Sequence, residues 1–154
     1  MQITLKRAEI ADANKLYQLQ LDGFAELLDK YQDFDTNPAN ESFERAKSRL
    51  ENDNIDCYFI EYNNESIGYI RIYKLNDNYY RLSQMVVLPE YQGNGYAQQA
   101  IQKLENLYPK TINWELDTIM QEPKLCHLYE KMGYKRTGET ENIKDGMDIV
   151  FYRK

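Results

Sequence analysis

Hydrophobic positions in this chain change period several times, and each change marks an element. Ile3-Thr4-Leu5-Lys6 alternates like a short strand. From Asp12 to Tyr31, the residues Tyr17, Leu21, Phe24, Leu28 and Tyr31 recur at helical spacing and predict an amphipathic helix. Asp33 to Asn40, with Pro38 inside it, reads as a loop, and Glu41 to Leu50 as a second, more polar helix. The period then shortens. Asp56–Tyr62 and Ser66–Leu75 are β-rich runs separated by Asn63-Asn64-Glu65, which predicts a hairpin. Asn76-Asp77-Asn78 is a second turn, and it leads into a third strand, Tyr79–Leu88, that ends at Pro89.

A helix follows, with Ala97, Ala100, Ile101, Leu104 and Leu107 on one face, and it stops at Tyr108-Pro109. Thr111–Thr118 is a strand carrying Trp114. Leu125, Leu128, Tyr129 and Met132 form the stripe of a short helix closed by Gly133 as a C-terminal cap. Tyr134–Glu141 and Gly146–Arg153 predict a final hairpin. The pattern is that of one α+β domain over residues 1–154, with strand, helix, strand, helix in its middle, the order of a crossover unit.

Composition narrows the function classes. A chain of 154 residues can bury one real core. No apolar run approaches the roughly 20 residues needed to span a bilayer, and residues 1–7 lack the long apolar region of a secretory signal. The expectation is a cytoplasmic protein that does not act on a membrane. Cys57 and Cys126 are far apart without metal-ligand spacing and read as reduced, packed thiols. The single histidine, His127, cannot build a histidine metal site, and no metal is expected. A net charge of −6 argues against a nucleic-acid partner and suits a cationic small-molecule substrate. The 14 tyrosines fall mostly in alternating runs, as half-buried sheet residues do.

The densest chemistry lies in Pro89-Glu90-Tyr91-Gln92-Gly93-Asn94-Gly95-Tyr96-Ala97, between a strand and a helix. Pro89 cannot continue a ladder and releases the strand into the loop. Gly93 and Gly95 allow unusual backbone angles and close approach of a ligand. The exposed amides of the first helical turn then favour a phosphate. A plain Asn94-Gly95 hairpin fits less well, because helical and not alternating periodicity follows. A dinucleotide fingerprint would need a third glycine where Gln98 stands.

On these residues the chain resembles the GCN5-related N-acetyltransferase superfamily. The family's Val-x-Pro and Arg/Gln-x-x-Gly-x-Gly/Ala signature is matched by Val87-Leu88-Pro89 and by Gln92 through Ala97. A second segment, Leu128-Tyr129-Glu130-Lys131-Met132-Gly133-Tyr134, is close to the family's Leu-Tyr-Glu-Lys-x-Gly-Phe. The resemblance implies an α/β three-layer arrangement: a mixed, mostly antiparallel sheet of six to seven strands, about four helices and a splayed pair of parallel strands. It also implies acetyl-CoA as co-substrate, an amine as the other substrate, and homodimers as a frequent assembly.

Carried over residue by residue, the resemblance assigns Gln92, Gly93, Asn94, Gly95, Tyr96, Ala97 and Gln98 to the CoA pyrophosphate. It assigns the backbone of Met85, Val86 and Val87 to the pantetheine arm, with one amide of that strand end facing the developing oxyanion. Tyr129 takes the place of the acid that protonates the leaving thiolate and would touch the cofactor there. A glutamate commonly stands two or three residues before the Val-x-Pro motif; here the residues are Leu82-Ser83-Gln84-Met85, with no carboxylate. The base therefore stays open between Asp117, which shares a strand face with Glu115, and a water relay. An asparagine that commonly touches the pantetheine is replaced by Glu122, with Gln121 as the neighbouring amide able to substitute. His127 reads as a partly exposed helix residue. The segment Asp12–Asn52 would form much of the acceptor pocket and offers Glu26, Asp29, Tyr31, Asp33 and Asp35. Two further classes remain open: a non-catalytic acyl-CoA-binding module and a nucleotide-binding domain.

Overall fold

In the computed structural model, which describes residues 2–154, the chain opens with β1 (Thr4–Arg7), followed by α1 (Ala13–Tyr31) and α2 (Phe43–Leu50). The predicted second helix starts two residues late because Ser42 is its cap, its Oγ accepting from the Arg45 amide at 3.2 Å. The loop before it contains a short 3-10 turn, Pro38–Asn40, held by Asn37 Oδ1 accepting from the Ala39 amide at 2.7 Å.

The sheet then continues through β2 (Ile55–Tyr62), β3 (Glu65–Asn76) and β4 (Tyr79–Val87). Asn63 and Asn64 both take positive φ (50° and 63°), as a two-residue type I′ hairpin requires, and Glu65 already pairs with Tyr62. After β4 come α3 (Tyr96–Leu107), β5 (Asn113–Ile119), α4 (Pro123–Lys131), β6 (Lys135–Lys144) and β7 (Met147–Arg153). The seven strands form one sheet ordered β1-β2-β3-β4-β5-β7-β6, antiparallel throughout except for β4 against β5.

Helices cover both faces. Leu16 and Leu19 of α1 pack with Phe59, Tyr69 and Val86 on one side. On the other, Ala100, Ile101 and Leu104 of α3 and Cys126 and Tyr129 of α4 pack with Ile60, Ile70, Ile72 and Leu116. Each aliphatic side chain taken fully from water in this way contributes about 1.5–3 kcal/mol. The result is the expected three-layer domain.

Two irregularities of β4 set up the site. Arg71 pairs with Gln84 but Ile72 pairs with Leu82, so Ser83 is an extra residue on β4. Its hydroxyl donates to the Arg71 carbonyl at 3.2 Å and accepts from Arg71 Nε at 3.2 Å. The bulge reverses which face each side chain takes: Leu82, Met85 and Val87 meet the α3/α4 core, whereas Val86 meets α1. The second irregularity lies on the other edge of the strand. Parallel pairing with β5 covers only Tyr79↔Asn113, Tyr80↔Trp114 and Arg81↔Glu115, after which the two strands part.

Candidate functional site

Beyond Arg81 and Glu115 the separating strands open a wedge that holds a cavity of about 560 Å³. Leu82 through Val87 line one side, Asp117, Thr118 and Ile119 the other, and the glycine turn and α4 close its ends. A broader, shallow concavity of about 740 Å³ over β6 and β7 includes, of the motif residues, only Gly133.

The turn is built as its residue types require. A 3-10 turn over Pro89–Tyr91 follows β4, and the Gln92 side-chain amide donates to the Val87 carbonyl at 2.8 Å, tying loop to strand end. Gly93 and Gly95 have φ of 81° and 80°, and a Cβ at either would meet nothing within 4 Å. The glycines thus border open space and supply the left-handed backbone of the turn. Gly95 is the N-cap of α3, leaving the amides of Tyr96, Ala97 and Gln98 without intrahelical acceptors. Gln92, Gly93, Gly95, Tyr96, Ala97 and Gln98 all line the cavity. Asn94 does not; its amide folds back onto the carbonyls of Tyr91 (3.1 Å) and Gln92 (3.3 Å).

The end of α4 fixes Tyr129. Gly133, at φ 96°, lets the Tyr134 amide donate to the Tyr129 carbonyl (3.0 Å) and the Gly133 amide to that of Glu130 (3.1 Å). These two bonds are a Schellman cap, and the Tyr129 and Tyr134 rings complete it edge-on at 6.2 Å. Tyr129 is 6% exposed and reaches the cavity, and its hydroxyl has no hydrogen-bonding protein partner among the described residues. Burial, reinforced by the charge of Asp117 and by Cys126, pushes its phenol above the ordinary tyrosine range.

The rest of the lining is more polar. Asp117 lines the cavity, and its carboxylate accepts from the Arg81 guanidinium, which also faces Glu115 at 3.5 Å. Gln84 lines it too, with its Oε1 accepting from the hydroxyl of the fully buried Tyr69. Glu122 receives Lys30 Nζ at 2.6 Å and the Tyr31 hydroxyl. Burial alone would raise the Glu122 carboxyl, but those hydrogen bonds hold it below the usual carboxylate range. This clasp joins the end of α1 to the start of α4.

Of the residues picked out in the sequence, the structure gathers Met85, Val86, Val87, Gln92, Gly93, Gly95, Tyr96, Ala97, Gln98, Asp117 and Tyr129 around one cavity. Gln121 is not among them: Asp148 takes both ends of its amide, at 2.8 Å and 2.9 Å. His127 is exposed. Of the acidic and aromatic residues offered by α1 and its loop, Glu26 and Asp33 line the cavity, and Asp29, Tyr31 and Asp35 do not. Phe24, Leu27, Thr36, Met147 and Ile149 line it without having been picked out. One sequence signal for α1's approach was Gly23, inside a helix: a Cβ there would sit 2.5 Å from Val86 Cγ2, so its absence lets α1 lie against β4.

Comparison with known proteins agrees with this geometry. A family model described as the acetyltransferase (GNAT) family matches residues 14–134. No curated protein sequence matches the chain. Among solved structures, an acetyltransferase from Thermus thermophilus superposes with a TM-score of 0.77 at 13% identity, covering 100% of this chain and 97% of that one. RimL, a ribosomal L7/L12 alpha-N-protein acetyltransferase in complex with coenzyme A, gives 0.77 at 14% identity over 100% and 94%. A spermidine N-acetyltransferase from Vibrio cholerae, in complex with CoA and spermine, gives 0.78 at 20% identity over 99% and 95%.

Proposed function

The chain belongs to the GNAT acetyltransferase family, and on that premise we propose that it transfers acetyl from acetyl-CoA to a primary amine by direct attack in a ternary complex. The observation that carries this reading is the Tyr129 hydroxyl, free of protein partners among the described residues, in a wedge that the glycine turn closes at one end. Acetyl-CoA supplies the activated acyl thioester. The open space beside Gly93 and Gly95 and the unpaired amides of Tyr96, Ala97 and Gln98 suit its pyrophosphate.

The edge of β4 from Met85 to Val87, which has no strand beside it, suits an extended arm added like a strand, and one of its amides can stabilise charge developing on the acyl oxygen. Tyr129 holds its proton firmly and stands as the donor to the departing thiolate. The amine must lose a proton before attack, since a free alkyl amine is charged at neutral pH. We assign that step to water at the mouth of the cavity, with Asp117 engaged by Arg81. Glu26 and Asp33 on the α1 side favour approach of a cationic amine. Protein α-amines and spermidine, the acceptors of two relatives of this fold, are both amines of that kind.

The test is a thermal-shift titration with acetyl-CoA, followed by an amine panel assayed for free thiol. Stabilisation by acetyl-CoA with amine-dependent thiol release supports the assignment. Stabilisation without turnover, unaffected by Tyr129→Phe, would make the chain an acyl-CoA-binding module instead.

A further inference from the structure

The bulge at Ser83 has a chemical result at the next residue. With the faces of β4 exchanged, Gln84 shares the α1 side of the strand with Val86, next to Tyr69 of β3. Tyr69 is fully buried, and burial pushes its phenol far above the ordinary range, so the hydroxyl remains protonated. It donates to Gln84 Oε1. The carbonyl end of the Gln84 amide is thereby occupied, and its amino end, which donates only, has no partner among the described residues while the residue lines the cavity. At this place on β4 the wall offers hydrogen-bond donors where a carboxylate would have offered acceptors.

Its neighbourhood limits what those donors meet. Glu26 and Asp33 line the cavity on the α1 side and disfavour an anionic group there, whereas Arg81 and Lys30 engage Asp117 and Glu122 and Lys124 adds a cation to the lining. Phe24, Leu27, Leu125, Leu128, Met147 and Ile149 provide apolar surface. We propose that Gln84 is a specificity-determining residue, held by Tyr69, that donates to a neutral carbonyl on the acceptor, so that the site selects cationic amines with a carbonyl beside the amine and an apolar side chain. This inference rests on the acetyl-transfer reading for its acceptor and names the chemistry of that acceptor, an α-amino acyl amide.

The probes are phenylalanine amide and 2-phenylethylamine, which share the ring and the amine and differ in the carboxamide; both are measured at about pH 6, where each amine is protonated although the carboxamide lowers its neighbour's pKa to about 7.7. Dissociation constants are measured calorimetrically in the presence of saturating CoA for the wild-type protein, Gln84→Leu, Gln84→Glu and Tyr69→Phe. Taking the ratio of the two ligands within each protein removes effects common to both amines. Wild-type protein is expected to favour the amide by about fivefold, the scale of one neutral hydrogen bond from a half-buried donor. Gln84→Leu is expected to bring the ratio near one, Gln84→Glu to bring it to one or below, and Tyr69→Phe to reduce it by about threefold, because an amide without its anchor rotates.

A merely structural Tyr69–Gln84 pair would lower stability and leave the ratio unmoved. An equal ratio in the wild-type protein and Gln84→Leu, or no binding of either probe by the wild-type protein, overturns the inference. Thiol release from acetyl-CoA, assayed alongside, separates the two readings. Selectivity without release removes the catalysis and leaves the subsite, and release with an unmoved ratio removes the subsite and leaves the catalysis.

Discussion

The backbone amide of Tyr134 donates to the carbonyl of Tyr129 at 3.0 Å, so the residue just past the helix-ending glycine holds the residue that faces the wedge. The bond depends on Gly133, whose φ of 96° other residues reach only with strain. Gly133→Ala is therefore expected to lower stability by about 1–2 kcal/mol and to displace Tyr129. A Cβ would add only an ordinary contact with Lys154 Cε at 3.4 Å, so the penalty is one of backbone. Urea denaturation measures it, and an unchanged midpoint would refute the assignment of the cap.

Tyr129→Phe removes a hydroxyl that bonds to no protein group among the described residues, and its stability effect should be under about 0.5 kcal/mol. Loss of a proton donor should nevertheless reduce kcat by about 100-fold. Steady-state thiol release and thermal denaturation on the same samples separate the two effects. A stable variant with full activity would remove Tyr129 from the chemistry.

Gly95→Ala has room for its methyl but an unfavourable φ of 80°. The same open space is where a pyrophosphate would sit. Acetyl-CoA affinity should fall by more than about tenfold while stability falls by only about 1 kcal/mol. Calorimetric titration checks the first and denaturation the second; equal affinity for both proteins would place the donor elsewhere.

Asp117→Asn tests whether this carboxylate removes the amine's proton. Because Arg81 engages it and water has access, kcat should fall by less than about tenfold, and the rise of rate with pH should keep its shape. A fall of about 100-fold with a flattened profile would make Asp117 the base.

Alkaline stability follows from the buried acids. Burial raises the Cys57 thiol from 9.0 to about 12. Folded and unfolded chains then differ in protons bound: above pH 9 the unfolded thiol ionises and the folded one does not, so stability is intact below pH 9 and declines from there toward pH 12. The slope is about 1.4 kcal/mol per pH unit for one such group. Tyr69, Tyr108, Tyr129, Tyr134 and Tyr152 are all raised from 10.0 and steepen the decline above that pH. Urea midpoints should thus fall from pH 9 upward and more steeply above pH 10, and Cys57→Ala should make the fall between pH 9 and 10 shallower while the tyrosines keep part of it. A Cys57→Ala variant that falls as steeply as the wild type over that interval would contradict this origin.

The helices and strands were legible because each buries one face, and burial imposes its period on the residues. α1 showed its helical period, although the face it buries is that of Leu16 and Leu19 and the stripe of Tyr17, Leu21 and Leu28 is half-buried, and Asn63-Asn64 in the hairpin was a local signal. So was the glycine turn, whose conformation needs particular residue types. The parting of β4 from β5 is not local: pairing simply stops after Arg81 and Glu115, and no residue type at that point announces it. The clasp of Lys30 and Tyr31 on Glu122 joins positions 92 and 91 residues apart. Gln121 had the right chemistry for the cavity, but Asp148, far along the chain, claimed its amide. Gln84 was visible as a missing carboxylate, and its orientation became visible only with Tyr69 beside it.

The extra residue at Ser83 works like a single inserted letter in a code read in twos. Everything after it on β4 is read in the other phase, which is how Val87 reaches one core and Val86 the other. Removing that residue would rotate Gln84 and Val86 toward α3 and α4, turn Met85 and Val87 toward α1, and set Val86 against the wrong helix. Gly23 and Gly68 are fitted to the present phase, since a Cβ on either would strike Val86, at 2.5 Å and 2.0 Å. A one-residue deletion at position 83 would therefore remove the fold and the selectivity of the wedge together, whereas the same deletion in the exposed turn at Asn76-Asp77-Asn78 would leave the register beyond Ser83 intact.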